Sequence, residues 1–221
     1  MDEKQLPIIS KLRQNEKQAI TDGLAMMSYN PSIGRVLEKG GVDKFRRIMV
    51  KETKKLEEIN SESEFDNFHH SIVSTIEKKF KTAKASSLSY GQAQKPLNVF
   101  LKVYVDWAGK PTLEKANQLR KFLHVPLDSI LMEQVKVHFP LQYNQYVVAT
   151  YDSIRDKFRK ALHKRDEGIA DSDLKKMINP SDFSLQSMHF KEMYYAWQKC
   201  GRAIYPEKPI LLDVFWSIER R

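Results

Sequence analysis

Apolar residues recur at intervals of three and four along nearly the whole chain, the spacing of a helical face rather than the alternation of a strand. The pattern predicts helices over 11–28, 31–39 and 42–59, the second opened by Pro31 and stopped by Gly40 and Gly41. A longer one is predicted over 63–84, with Phe65, Phe68, Ile72, Val73, Ile76 and Phe80 on its apolar face. Residues 85–94 read as a turn and 95–107 as a helix, which ends at Gly109-Lys110-Pro111. Thr112 then begins a short helix with Leu113, Ala116, Leu119 and Phe122 facing inward, and Pro126 opens another that runs to 138. From 143 to 151 the β-branched and aromatic density suits a strand, yet Tyr146, Val147, Thr150, Ile154, Phe158 and Leu162 keep helical spacing. One helix over 143–164 is therefore predicted. A charged stretch containing Gly168 is the expected mobile loop, and helices over 171–178, 184–204 and 209–220 complete the chain. Helices joined by short connections, with no convincing strand, make the fold class all-α, a compact multi-helix architecture. Residues 1–221 are expected to form a single all-helical domain, or two packed subdomains with a cleft near 88–130.

The helix over 95–107 is apolar almost all the way round. Its exception is one polar line, Lys95, Asn98, Lys102 and Asp106, which steps of three and four place on one face. Such a line faces either a strip of solvent or a lined cavity. In a partly desolvated cavity a lysine amine becomes a usable nucleophile at neutral pH. Pro96 fits the first helical position, which puts Lys95 at the helix entrance, after a turn in which Gly91 is free to take φ > 0 and Ala93 lets another backbone approach. Exposed N–H groups of Gly91, Gln92 and Ala93, running into a helix N-terminus, would cradle a phosphate. Asp128 is the second candidate. With Pro126 at the first helical position its carboxylate falls in the first turn, where it either caps the helix or, facing a nucleophilic lysine, stabilises a developing cation and accepts a proton.

Composition narrows the partner. Lys and Arg number 37 against 28 Asp and Glu, a net charge of +9, which favours nucleic acid or another anionic surface. A single cysteine, Cys200, leaves no disulfide framework and no cysteine-rich zinc site, and its place at the end of an apolar helix makes it a core residue. No apolar run approaches membrane-spanning length and Met1-Asp2-Glu3-Lys4 opens no apolar leader, so the expected location is cytoplasmic, without membrane contact.

Gly91-x-Ala93-x-Lys95 resembles the hairpin of the helix-hairpin-helix DNA glycosylases, whose Gly-x-Gly-x-Lys pattern sets the catalytic lysine at the start of a helix. Val125-Pro126-Leu127-Asp128 resembles the segment that supplies their catalytic aspartate. The gap from 95 to 128 is similar to that of the archaeal 8-oxoguanine DNA glycosylase branch, which also carries a second lysine two turns on, matched by Lys102. The segment Leu212-Asp213-Val214-Phe215-Trp216 is similar to that branch's C-terminal base-pocket helix. Ala93 stands where the pattern has its second glycine, and residues 1 to 80 carry no match. The resemblance implies excision of a damaged purine, oxidised guanine, from double-stranded DNA by a monomer needing no cofactor and no metal. Lys95 would attack C1′ of a flipped nucleotide, Asp128 would stabilise the cationic sugar, and a Schiff base would permit strand cleavage. Lys102 and Asp213 would hold the expelled base and Trp216 would stack on it.

Other features carry less. Adjacent His69 and His70 point about 100° apart on a helix and make a poor joint metal site, so structural or surface roles are expected. Tyr194, Trp197 and Cys200 form an apolar stripe typical of a core. Arg155, Arg159 and His163, with Lys160 and Lys164, make a basic line suited to solvent or to a phosphate backbone. Two alternatives to the glycosylase stand beside it. One is a noncatalytic helical module that binds nucleic acid or protein. The other is a helical ribonuclease using Arg159 and His163.

Overall fold

A computed structural model describes residues 18–29, 31–34, 37–83, 85–156, 188 and 191–215. These are helical with no strand among them, beyond one isolated antiparallel bridge between Leu37 and Thr82. Helix α1 covers residues 18–28, and α2, Pro31–Gly34, is shorter than predicted because Leu37 and Glu38 leave it to meet the chain at 81–82. Gly40, at φ 80°, turns the chain into α3, Gly41–Glu52, which tightens into a 3₁₀ turn over Thr53–Glu58. Helix α4, Glu62–Lys79, opens on a capping box in which Ser61 and Glu64 satisfy each other's backbone N–H. It ends before the predicted 84, since Phe80 is extended and the following residues form the bridge with Leu37.

Helix α5, Tyr90–Leu101, lies at the centre and packs against α4 and against α9, Lys191–Ile204. It carries on as a π-helical segment over Lys102–Trp107. Then come α6, Leu113–Leu119, capped by Thr112, and α7, Ser129–His138. Helix α8 starts at Pro140–Gln142, widens into a π segment over Tyr143–Val148, and stays helical through 156. A 3₁₀ turn, Pro209–Val214, follows α9. Phe45, Phe65, Phe80, Leu97, Phe100 and Tyr194 are all less than 2 % exposed, so the core is assembled around both flanks of α5.

The start of α5 differs from the expected turn. Ser89 accepts from the Gln92 N–H at 3.1 Å while the Gln92 side chain accepts from the Ser89 N–H at 2.9 Å. This box starts the helix at Tyr90, so Gly91, Gln92 and Ala93 form its first turn instead of a hairpin, and Lys95 stands within the helix. Pro96 is interior too, and with no N–H it makes no bond to the Gln92 carbonyl one turn back. A proline signals a helix start only when nothing upstream caps better. Pro126 shows the same error at α7, where Asp128 is the N-cap and Ser129 the first helical residue. The predicted loop at 164–173 and the helix over 171–178 lie outside the described residues.

Because the Ser89 box fixes where α5 begins, Ser89→Ala is expected to cost about 1 kcal/mol. Urea denaturation at neutral pH measures it, and an unchanged midpoint would show that α5 does not depend on its cap.

Candidate functional site

The polar line of α5 is no solvated strip: each of its members meets a group from another part of the chain. Lys95 Nζ lies 3.8 Å from Asp128 Oδ2 at the N-terminus of α7. Asn98, fully buried, donates to Tyr194 Oη at 2.8 Å and to the Val125 carbonyl at 3.2 Å, and accepts from His69 Nε2 at 2.7 Å. Lys102 forms an ion pair with Asp213 in the 3₁₀ turn after α9. Asp106 pairs with Arg120 at 3.0 Å and with Lys208 at 2.8 Å.

Lys95, Asp128, Lys102 and Asp213 form one cluster of charges. The lysine and aspartate side chains of the first pair are 19 % and 28 % exposed, those of the second 10 % and 12 %. Burial pushes the Asp213 carboxyl up, against the pull of Lys102, and the neighbouring Asp128 charge adds to the rise while Lys95 opposes it. Asp128 divides its two oxygens: Oδ1 accepts the Leu131 N–H at 2.9 Å, capping α7, and Oδ2 is turned to Lys95. At 3.8 Å the ammonium is attracted to the carboxylate without being hydrogen-bonded to it. The ammonium is therefore held near the carboxylate without being locked to it.

The segment that delivers Asp128 is held from α9. Gln198 accepts from the Val125 N–H at 2.8 Å and donates to the Val125 carbonyl at 3.0 Å, so both backbone groups of that residue are fixed by one side chain. His124, just before, donates from Nε2 to Asp66 at 2.7 Å and accepts the Tyr194 hydroxyl at Nδ1, 2.8 Å away. Asp66, His124, Tyr194, Asn98 and His69 thus make one hydrogen-bonded network through the interior, with the imidazoles of His69 and His124 only 4.2 Å apart. Burial pushes the His124 imidazole down to about 4, despite the Asp66 carboxylate, and holds His69 well below its usual value, where a charged His124 would lower it further. Burial alone would raise Asp66, but hydrogen bonds from His124 and Arg202 hold its carboxyl below the usual range. Tyr194 is raised by its burial.

Of the sequence-predicted site residues, Lys95, Asp128, Lys102 and Asp213 come together, and Trp216 lies outside the described residues. Gly91, Gln92 and Ala93 do not form an anion cradle. Their N–H groups are committed to the Met188 carbonyl at 3.0 Å, to Ser89 Oγ at 3.1 Å and to the Ser89 carbonyl at 3.0 Å. Arg155 pairs with Asp156 at 3.5 Å, while Arg159, Lys160, His163 and Lys164 lie outside the described residues. Cys200 is buried, its thiol pushed up to about 12 by that burial, as befits a core residue. The network around His69 and His124 escapes the sequence pattern, although a histidine inside the apolar run Phe122 to Leu127 was a signal for it. Cavities of about 370 and 450 Å³ lie elsewhere, the first beside Thr53 and Tyr104, the second beside His70 and Tyr195. Among the described residues no group of three or more His, Cys, Asp or Glu is placed to hold a metal, and no helix is long and apolar enough to cross a membrane.

No family model, curated protein or solved structure matches the chain.

The buried imidazoles set a pH dependence. Below about pH 6.5 the unfolded chain binds protons at His124 and His69 that the folded chain excludes, so stability is complete above that value and falls as the pH drops toward 4. His124 alone contributes a loss of about 3 kcal/mol by pH 4. Urea unfolding of wild type and His124→Gln across this range is expected to give a shallower pH slope for the variant, and equal slopes would mean that His124 is protonated in the folded state.

Proposed function

We propose that the protein is a DNA glycosylase with associated abasic-site lyase activity, acting on damaged purine, oxidised guanine, in double-stranded DNA. The observation that carries the proposal is the pair Lys95 and Asp128, an amine and a carboxylate 3.8 Å apart at the junction of α5 and α7. One role follows for each. The neutral Lys95 amine attacks C1′ of an extruded nucleotide with its lone pair, and the proton that the new C–N bond leaves on the nitrogen passes to Asp128. The N-glycosidic bond breaks with its electron pair on the base, which takes up a proton as it leaves. The sugar ring then opens to a Schiff base on Lys95, and loss of the C2′ proton expels the 3′ phosphate by β-elimination. Asp128, turned to the same side, stabilises the positive charge on the sugar.

Lys102 and Asp213 stand beside this pair and supply a donor and a carboxyl for a purine edge once their mutual ion pair opens. The raised Asp213 carboxyl favours that exchange, since a proton or a donor from the base offsets its burial. Trp216 is the proposed stacking partner on the sequence resemblance alone. Phosphate contacts fall to the basic side chains, because the first-turn amides of α5 are occupied. That occupation also weighs against the noncatalytic alternative, in which those amides would grip phosphate.

Borohydride trapping on an 8-oxoguanine duplex and on an abasic duplex tests the proposal. Wild type is expected to form a covalent adduct with each, and Lys95→Gln with neither. DNA affinity should persist in the variant, with a salt slope changed by about one unit, because one cation among many is lost. Asp128→Asn is expected to slow trapping roughly 10²–10⁴-fold, the scale of general acid–base catalysis. Absence of any adduct from wild type leaves a noncatalytic binding module, and equal trapping by wild type and Lys95→Gln moves the amine to another residue.

A further inference from the structure

An aromatic ring stands in solvent beside this charge cluster. Trp107 is 66 % exposed, whereas Tyr90, Phe100, Tyr104, Tyr194 and Trp197 are buried. Single exposed apolar residues are common and carry no meaning by themselves. Trp107 is distinguished by how it is held: Lys102 Nζ sits 4.8 Å from the centre of its ring, as a cation–π contact, while the same ammonium is ion-paired with Asp213.

The backbone explains the contact. At 3.6 residues per turn, a residue five positions after Lys102 would point about 140° away around the helix axis. The chain instead widens here into a π segment over Lys102–Trp107, closed by the Ala108 N–H on the Val103 carbonyl at 2.9 Å, five residues back. One wider turn returns Trp107 to the side of Lys102 and so carries the indole to the cluster. Widened turns of this kind carry a cost in hydrogen-bond geometry and recur at functional sites. Without it the tryptophan would stand on another face.

We infer that Trp107 is a stacking platform for an unpaired nucleobase, with Lys102 against the opposite side of the ring. The ligand class is single-stranded or locally unpaired nucleic acid, and the inference rests on the nucleic-acid reading of the Lys95 site. An indole offers a flat surface to any base. Net charge fits this occupant: the chain carries +9. A peptide partner would use the same exposed ring without needing phosphate.

Two probes separate stacking from charge: oligothymidylate, and an oligomer of equal length in which every nucleoside is an abasic tetrahydrofuran. Both carry the same phosphates and only the first carries bases. Fluorescence anisotropy is expected to show wild type preferring the base-bearing strand by on the order of 10-fold, Trp107→Phe keeping most of that preference, and Trp107→Ala losing it. Since the ring is exposed, thermal unfolding of Trp107→Ala should match wild type, which confirms an intact fold. A preference retained in Trp107→Ala, absent in wild type, or replaced by an equal loss on both probes overturns the inference and leaves the indole to a protein contact. Trapping on the abasic duplex, scored with the same preparations, separates the two proposals. Base-dependent binding without an adduct removes the lyase and keeps the platform, whereas an adduct without base-dependent binding removes the platform alone.

Discussion

A polar group taken out of water must find a partner inside, and α5 with the π segment that continues it carries Lys95, Asn98, Lys102 and Asp106 toward the interior. That requirement organises the molecule. Lys95 needs the N-terminus of α7, Asn98 needs α4 and α9, Lys102 needs the 3₁₀ turn after α9, and Asp106 needs Arg120 and Lys208. Apolar packing around Leu97 and Phe100 supplies the non-directional attraction. The polar line adds register, because sliding α5 by one residue would leave Asn98 and two lysines without their partners. Asn98 is the most constrained member, with His69, Gln94, Val125 and Tyr194 all meeting at one amide.

Much of this was legible in the sequence, and the parts that were not share a cause. The all-α class and the apolar faces of α4 and α9 follow from local periodicity, whereas on the predicted inward face of α6 Ala116, Leu119 and Phe122 are buried and Leu113, at the first turn, stands 67 % exposed. The polar line on α5 was equally plain. Its meaning was not, because a polar stripe looks the same whether it faces water or buried partners, and those partners stand far off in sequence: His69, Val125, Tyr194, Asp213. The start of α5 went astray over a choice between two local signals, a proline that permits a first turn and a capping box that makes one. The box won since it satisfies two backbone N–H groups at once, and Pro96 only avoids losing one. The π segment has no local signature in the sequence, so nothing there predicts that Trp107 and Lys102 share a side.

Asp66 and Asp213, two part-buried carboxylates, show how differently one fold treats like groups. Asp66 receives hydrogen bonds from His124 and Arg202, and these outweigh its burial, so it stays ionised and anchors the interior network. Asp213 has one ammonium partner and a second carboxylate nearby, and here burial prevails. Stability alone would favour the first arrangement at both places. A buried ion pair seldom stabilises a fold more than an apolar pair of the same shape, and a crowded pair of carboxylates does so less. An under-compensated carboxyl beside an amine that is attracted but not locked is therefore the part of this structure with the least structural justification. Perturbed groups of that kind gather where chemistry or binding occurs. The members of the polar line thus divide by role. Asn98 and its network hold the segment 124–128 in place, with Gln198 fixing Val125. Under the proposed function Lys95, Lys102 and Asp213 would exchange one another for a ligand, with the first group holding the segment that carries Asp128.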